Sequence, residues 1–235
     1  MTSERAALLI ADIGGYTEYM GSHRMTLAHA EVNTARMLDR MIRAARGFDL
    51  VEIEGDAAFL SRPAGARDPD TTITDILQVA VAMHRAFHIE RQYVATNLCP
   101  CGGCREAGNL TLKFVAHVGE VATQTIRGRI KLVGIDVILV HRLLKNSVEI
   151  PEYVLISEEL YSTDEASLPG PVREISPDLE GIGTVRAYFV DVADLGGTLP
   201  PPRAASWRAR LGSTFAAVGQ GMPYMLGLKQ PRRVR

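Results

Sequence analysis

The feature that most constrains the fold is an apolar run that ends in a carboxylate and two glycines. Residues 6–13 have the sequence AALLIADI, and Gly14 and Gly15 follow directly. A continuous apolar run of this length, stopped by glycine, is typical of a buried strand that enters a tight loop. The pattern therefore predicts a strand over residues 6–13 and places Asp12 at its end.

The rest of the chain alternates between helical and strand-like patterns. Apolar residues spaced three and four apart predict long helices over 25–46 and 72–95. Residues 49–61 predict two short strands joined at Gly55 and Asp56, since a Gly-Asp pair between strands is a hairpin signal. A buried helix and four more strands are predicted over 135–144, 110–121, 126–133, 153–156 and 184–190. We expect an α+β sandwich, in which a mixed sheet carries helices on one face.

Length and charge suggest one main domain with a basic extension. The chain has 235 residues, of which 46% are hydrophobic, enough for one full core. Its net charge of −1 divides into about −8 before residue 195 and about +7 after it. We predict a domain over 1–195, with a cysteine-bearing insertion at 97–108, and a basic extension over 196–235.

The same composition limits the partners and the compartment. The chain has no apolar run long enough to span a membrane and no leader-like N-terminus, so we expect a cytoplasmic protein. With 6% aromatic residues, and few interleaved with the basic residues of the tail, we expect no nucleic-acid partner. The tail can instead contact a membrane surface or another acidic surface, or remain a solvated extension.

Two carboxylates carry the chemistry that the pattern suggests. Asp12 and Asp56 each lie where a strand opens into a glycine turn, and hard cations such as Mg²⁺ prefer such oxygen ligands. Glycines beside Asp12 allow backbone N–H groups to approach phosphates closely. Aspartates at strand ends are also common as plain turn residues, so the pattern alone leaves both interpretations open.

The first strand and loop resemble a known family. LLIADIGGYTEYM is similar to the first metal-binding strand of the class III adenylate and guanylate cyclases, an apolar strand followed by Asp-Ile-x-Gly-Phe-Thr. The match covers Asp12, Ile13, Gly15 and Thr17, with Tyr16 in place of phenylalanine.

Three later segments resemble the same family in the same order. VEIEGDAAFL is similar to the second metal-binding hairpin, KFVAHVGEV to the following strand with its Gly-Ile-His-x-Gly pattern, and LVGIDVILVHRL to the helix entry Gly-Asp-x-Val-Asn-x-Ala-x-Arg. The resemblance spans residues 6–145. It implies the ferredoxin-like sheet of the nucleotide cyclases, and the CPCGGC segment suggests a divergent bacterial branch of unassigned function.

The resemblance also implies roles for individual residues. Asp12, Asp56 and the Ile13 carbonyl would hold Mg²⁺ or Mn²⁺, and the loop Gly14, Gly15, Tyr16 and Thr17 would hold the phosphates of a nucleoside triphosphate. Glu52 occupies the base-selecting position, where guanylate cyclases have glutamate and adenylate cyclases lysine. Because a carboxylate accepts hydrogen bonds from guanine, GTP is favoured over ATP.

Other positions depart from the family pattern. Ile138 stands where the ribose-orienting asparagine is expected, Ile135 replaces the preceding aspartate, and Lys131 occupies the second base-contacting position. Arg142 matches the catalytic arginine that stabilises transition-state charge. Loss of a positioning hydrogen bond costs about 10²-fold or more in rate, so we expect a cyclase of weak activity or a nucleotide-binding domain without turnover.

Cyclase sites of this family are shared between two subunits. The resemblance therefore implies a homodimer, with a heterodimer as the alternative.

The three cysteines form a second candidate site. Cys99, Cys101 and Cys104 are the only cysteines and lie within six residues, in the pattern Cys-x-Cys-x-x-Cys. Three thiols suit zinc, with His84, His88 or a partner subunit as a fourth ligand, or an iron–sulfur cluster or a redox sensor. The alternatives are a metal- or redox-sensing regulatory protein and free thiols in a flexible segment.

Overall fold

The computed structural model describes residues 3–22, 27–64, 69–97, 102–161, 168–196 and 199. The described part contains five α-helices: α1 (Tyr16–Ser22), α2 (Leu27–Ala44), α3 (Pro69–Asn97), α4 (Gly102–Glu106) and α5 (Ile135–Leu143). It also contains ten strands: β1 (Ser3–Gly14), β2 (Asp49–Glu54), β3 (Ala57–Pro63), β4 (Thr111–Ile126), β5 (Arg129–Val133), β6 (Tyr153–Ser157), β7 (Arg173–Ile175), β8 (Asp178–Leu179), β9 (Gly183–Thr184) and β10 (Ala187–Asp191).

One mixed sheet organises these elements. Its strands lie in the order β2-β3-β1-β4-β6-β10-β7, with β5 paired to the far end of β4 and a separate two-stranded β8-β9 sheet. Neighbouring strands are antiparallel except for β4 and β6, which run parallel. The predicted fold class, a mixed sheet with helices, is confirmed.

The central strand β1 is buried on both faces. Leu9 and Ala11 pack with α2 and α3, whereas Leu8 and Ile10 pack on the opposite face with Leu139 and other residues of α5. The expectation that helices cover one face is therefore wrong for α5. Its nearly uniform apolar sequence allowed no assignment to a face, and β1, which is apolar at successive positions, requires cover on both sides.

The main element boundaries follow the sequence closely. Helix α2 ends at Ala44, shortly before Gly47, whose φ of 81° is a conformation that glycine adopts readily. The predicted hairpin is present, and its turn residue Gly55 has a φ of 65°. Strands β7, β8 and β9 were not predicted, because segments of two or three residues carry no readable periodicity.

In the parts of the chain that the model describes, no helix combines the length and apolar character needed to cross a membrane. The tail beyond residue 200 lies outside these parts, so the predicted extension and its contacts stay predictions.

Candidate functional site

The ends of β1, β3 and β4 bring three charged residues together. Asp12 pairs with Ala57 on one side and with Lys113 on the other. Asp56 lies in the β2–β3 turn, next to Ala57, and its carbonyl accepts a hydrogen bond from the Ile13 amide. Lys113 Nζ lies 3.2 Å from Asp12 Oδ2. The two aspartates singled out from the sequence thus lie close together, with a lysine between the strands.

The environment of this group shifts the pKa of one of its carboxyls. Burial raises the pKa of the Asp56 carboxyl, and the neighbouring Asp12 raises it further, while Lys113 acts in the opposite direction. A cation placed between two carboxylates relieves such repulsion. The electrostatics and the donor atoms both suit a hard divalent ion.

The glycine loop after Asp12 is fixed by a close contact. A Cβ atom on Gly14 would lie 2.3 Å from the Thr111 hydroxyl, so a larger residue at this position would require the Thr111 side chain to move. Gly15 has a φ of 79°, and α1 begins at the next residue. Tyr16 is half-buried, and burial followed by the charge of Asp56 raises the pKa of its phenol, whereas Thr17 is exposed. The loop therefore lies beside the aspartates, and its predicted contact with phosphates stays a prediction.

A second charged pair joins β2 to β5. Lys131 Nζ lies 3.1 Å from Glu52 Oε2 and 3.4 Å from Oε1, although the residues are 79 positions apart. Both side chains are largely exposed, at 47% and 39%. The two residues assigned to base contact are thus brought together, with one acceptor and one donor side by side.

Helix α5 carries the remaining residues of the family pattern. Ile135 and Ile138 are 58% and 47% exposed. Arg142, one turn further on, packs against the backbone at Gly181, and its Nη1 atom is buried without a hydrogen-bond partner in the described structure. The apolar residues at the ribose position face outward, while the arginine retains an unused donor.

A buried network anchors the start of α5 to β4. Asp136 Oδ2 accepts a hydrogen bond from the Glu120 amide, and its Oδ1 lies 3.1 Å from His117 Nε2. On the other side of the ring, His117 Nδ1 lies 2.7 Å from Ser157 Oγ. His117 is fully buried, so the network fixes the helix rather than presenting a reactive group.

The cysteine site is described only in part. Cys104 lies in α4, is buried, and accepts a contact of 3.5 Å from Asn33 Nδ2. Cys99 and Cys101 lie outside the described residues. Zinc, an iron–sulfur cluster and redox sensing at the three cysteines stay predictions.

His84 and His88 contact a carboxylate that sequence reasoning missed. Their Nε2 atoms lie 2.9 and 2.7 Å from the two carboxylate oxygens of Glu152, just before β6. Burial would raise the pKa of Glu152, but the hydrogen bonds and charges of the two histidines hold it well below its usual range. Burial lowers the pKa of His88. The histidines considered as a fourth ligand for the cysteines are therefore engaged with Glu152.

Two residues of these sites gave little signal in the sequence. Lys113 meets Asp12 only because β1 and β4 pair in a particular register. Glu152 lies 64 residues beyond His88, and the only local sign of the cluster is the spacing of four between the histidines.

Comparisons with known proteins place the chain by sequence and by fold. The family model described as "Protein of unknown function (DUF2652)" matches residues 34–153. An uncharacterized protein of Mycobacterium tuberculosis is 34% identical over 200 residues, covering 83% of this chain and 90% of the relative.

Two solved structures that share this fold come from nucleotide cyclases. The guanylate cyclase domain of RhGC from Catenaria anguillulae, in complex with GTP, aligns with a TM-score of 0.57 at 16% identity, covering 81% of this chain and 98% of that one. The adenylyl cyclase CyaB from P. aeruginosa aligns with a TM-score of 0.56 at 19% identity, covering 81% and 95%. At such identities the likeness shows the fold.

Proposed function

The chain belongs to the DUF2652 family of proteins of unknown function, and with a cyclase-like fold as the premise we propose that it binds a purine nucleoside triphosphate with a divalent metal. Cyclase turnover is weak or lost. The observation that carries the proposal is that Asp12 and Asp56 lie close together beside the glycine loop. This is the position in the sheet that the resemblance to the class III cyclase motif implies for the metal ligands.

The metal half of the site fits its proposed ion. Asp12 and Asp56 offer hard oxygen donors, and burial, followed by the negative charge of Asp12, raises the pKa of Asp56, an effect that nearby positive charge offsets. Lys113 supplies part of that charge from one side. Bound Mg²⁺ or Mn²⁺ would stabilise the negative charge of the phosphates. Asp12, Asp56 and the Ile13 carbonyl would hold it, and the backbone of residues 14–17 would contact the phosphates.

The base half of the site favours guanine. Guanine presents N–H donors at N1 and N2 and an acceptor at O6, so its recognition needs an acceptor beside a donor. Glu52 and Lys131 provide that combination within 3.1 Å of each other. A base entering here would exchange the ion pair for hydrogen bonds to both residues. We therefore propose GTP as the preferred nucleotide and ATP as the weaker one.

The ribose half explains why turnover is weak or lost. Ile138 has no hydrogen-bonding group, so it cannot orient a ribose hydroxyl for attack on the α-phosphate. Arg142 has a buried, unpartnered Nη1 and is the residue proposed to stabilise phosphate charge. Because the metal-binding aspartates are retained and the ribose-orienting position is altered, we expect nucleotide binding without efficient turnover.

We also propose a homodimer that completes the site. Apolar side chains are exposed on the β4–β5 hairpin and at the start of α5, and Ile130 reaches 68% exposure. Leu50 and Ile53 on β2 are exposed as well. Such surface on a small domain is characteristic of a protein contact. In a cyclase-like dimer, the residues of α5 would meet the aspartates of the partner.

Calorimetric titration of GTP and ATP with Mn²⁺ into the full-length protein tests the proposal. We expect binding of both, with GTP tighter, and loss of binding in Asp12→Asn and Asp56→Asn. Asp39→Asn is the matched control, since Asp39 forms an exposed helical ion pair with Arg43. Mass spectrometry of the same mixtures measures cyclic nucleotide.

Each outcome decides one part of the proposal. Absence of nucleotide binding, or binding that is unchanged in Asp12→Asn, refutes the site. Binding that prefers ATP in the native chain refutes the role of Glu52. Rapid cyclisation by the native chain refutes the loss of turnover, because Ile138 would then be compatible with catalysis.

A further inference from the structure

A second cluster of metal-ligand side chains lies where α3 meets the sheet. His84 and His88 are four residues apart on α3, so both project from one face of the helix, and their ring centroids are 4.1 Å apart. Glu152 approaches from the segment before β6. One ligand atom from each of the three side chains lies within 4.8 Å of the other two. Parts of the chain far apart in sequence thus converge on one point.

The cluster is enclosed and its carboxylate is oriented. His84 and His88 are each 5% exposed. The Leu112 amide donates to Glu152 Oε1 at 2.9 Å, and the Val192 amide donates to the Glu152 carbonyl. Outer hydrogen bonds of this kind hold ligating carboxylates in place at metal centres. The carboxylate is therefore oriented by the backbone of β4, and the main chain of Glu152 is held by the segment after β10.

The arrangement leaves polar atoms without partners. The Nδ1 atoms of His84 and His88 are both buried and have no hydrogen-bond partner in the described structure. These atoms lie on the side of each ring away from Glu152, so the Nε2 atoms are the nitrogens that face the carboxylate. Arg91 is the nearby competing cation, but its guanidinium donates to the Leu110 carbonyl. The carboxylate of Glu152 is thus contacted by both histidines and by the Leu112 amide.

We propose that His84, His88 and Glu152 bind a divalent transition-metal ion of the zinc type. Two imidazole nitrogens and one carboxylate oxygen suit Zn²⁺ rather than Mg²⁺, and this ligand set leaves a fourth position for water or another ligand. Ligand atoms about 2.1 Å from a tetrahedral ion are about 3.4 Å apart. The present separations of 2.7 and 2.9 Å need only a small outward shift of the side chains.

This site differs from both metal sites expected from the sequence. The Asp12 and Asp56 pair offers only oxygen ligands, which favour hard cations. Cys104 is not part of the histidine cluster among the described residues. An ion bound here would tie α3 to β4 and β6, and its presence does not depend on nucleotide binding.

Zinc content of the full-length protein tests the site. The protein is loaded with Zn²⁺, dialysed and analysed for metal per chain, and X-ray absorption of the same sample identifies the ligand atoms. We expect one zinc with nitrogen and oxygen ligands, and at least a tenfold loss of affinity in His88→Gln and Glu152→Gln. His141→Gln is the matched control, because His141 faces a single carboxylate, Glu54, outside the cluster.

The X-ray absorption spectrum tests the proposal even if a variant misfolds. It uses the native chain, and a first shell dominated by sulfur at about 2.3 Å would assign the zinc to the cysteines and overturn the proposal. Substoichiometric zinc in the native chain overturns it too, as does full retention in folded His88→Gln and Glu152→Gln. Failure of GTP binding has no bearing on these results.

Discussion

Replacing Lys113 by methionine should destabilise the metal-free protein and strengthen its binding of Mn²⁺. Methionine keeps most of the side-chain length but removes the ammonium that lies 3.2 Å from Asp12 Oδ2. The repulsion between Asp12 and Asp56 would then be offset by less positive charge. The Asp12 carboxylate would no longer be paired with a lysine and could bind a cation. One substitution therefore has opposite effects on stability and on metal affinity.

The size of the stability effect follows from distance and exposure. At 3.2 Å the attraction is roughly 1–5 kcal/mol for effective dielectric constants between about 80 and 20. Exposed ion pairs contribute about 0.2–1 kcal/mol, and removing one partner of a buried pair costs about 3–5 kcal/mol. Lys113 and Asp12 are 26% and 20% exposed, so we expect a loss of about 2 kcal/mol. For a domain of this size that is a fall in Tm of roughly 4–8 °C.

Thermal unfolding with and without saturating Mn²⁺ measures both effects. We expect the gap in Tm between Lys113→Met and the native protein to narrow when Mn²⁺ is present, because the ion replaces the missing charge. Lys145→Met, at an exposed lysine just beyond α5, is the control and should change neither quantity. A native-like Tm in Lys113→Met without metal, or weaker Mn²⁺ binding than in the native chain, would refute the reasoning.

Three further substitutions probe other parts of the structure. Asp56→Asn should raise the metal-free Tm at pH 7, because the raised pKa of Asp56 means that its ionised form destabilises the fold. The gain in Tm should vanish below about pH 4, where the native carboxyl is protonated. A lower Tm than that of the native protein at pH 7 contradicts this prediction. Gly119→Ala places a Cβ 2.2 Å from Asp136 Cγ and should cost about 1–3 kcal/mol in urea unfolding, so native stability would show that α5 is not held so closely. Ile130→Glu should convert a dimer to a monomer in light scattering without lowering Tm, and an unchanged mass argues against this surface as the interface.

The parts of the fold that could be predicted from the sequence are those determined by residues close together in the chain. β1 was readable because a mostly apolar segment of eight residues runs into two glycines, and the β2–β3 hairpin because Gly55 lies between two strand-like segments. Asp12 and Asp56 were identified from the same strand ends, so their proximity followed once the strands were expected to be neighbours. These features depend on short stretches of chain.

The parts that escaped prediction depend on long-range register. Lys113 meets Asp12 through the pairing of strands about 100 residues apart, and no local pattern announces that register. Glu152 lies outside any periodic segment, so its contact with His84 and His88 was not visible. The opposite-face position of α5 was missed because a helix that is apolar on most sides does not reveal which sheet face it covers.

The central position of β1 also determines when the candidate site forms during synthesis. Leu8 pairs with Ser61 on one side and with His117 on the other, so the second partner emerges about 110 residues after β1. At typical rates of about 5–20 residues per second, the strand waits roughly 5–20 s for β4. During this interval one edge of an apolar strand has no partner in the nascent chain. The segment that carries Asp12 is thus synthesised before β4 and paired with it only later, so its apolar edge is exposed to other chains in the interval.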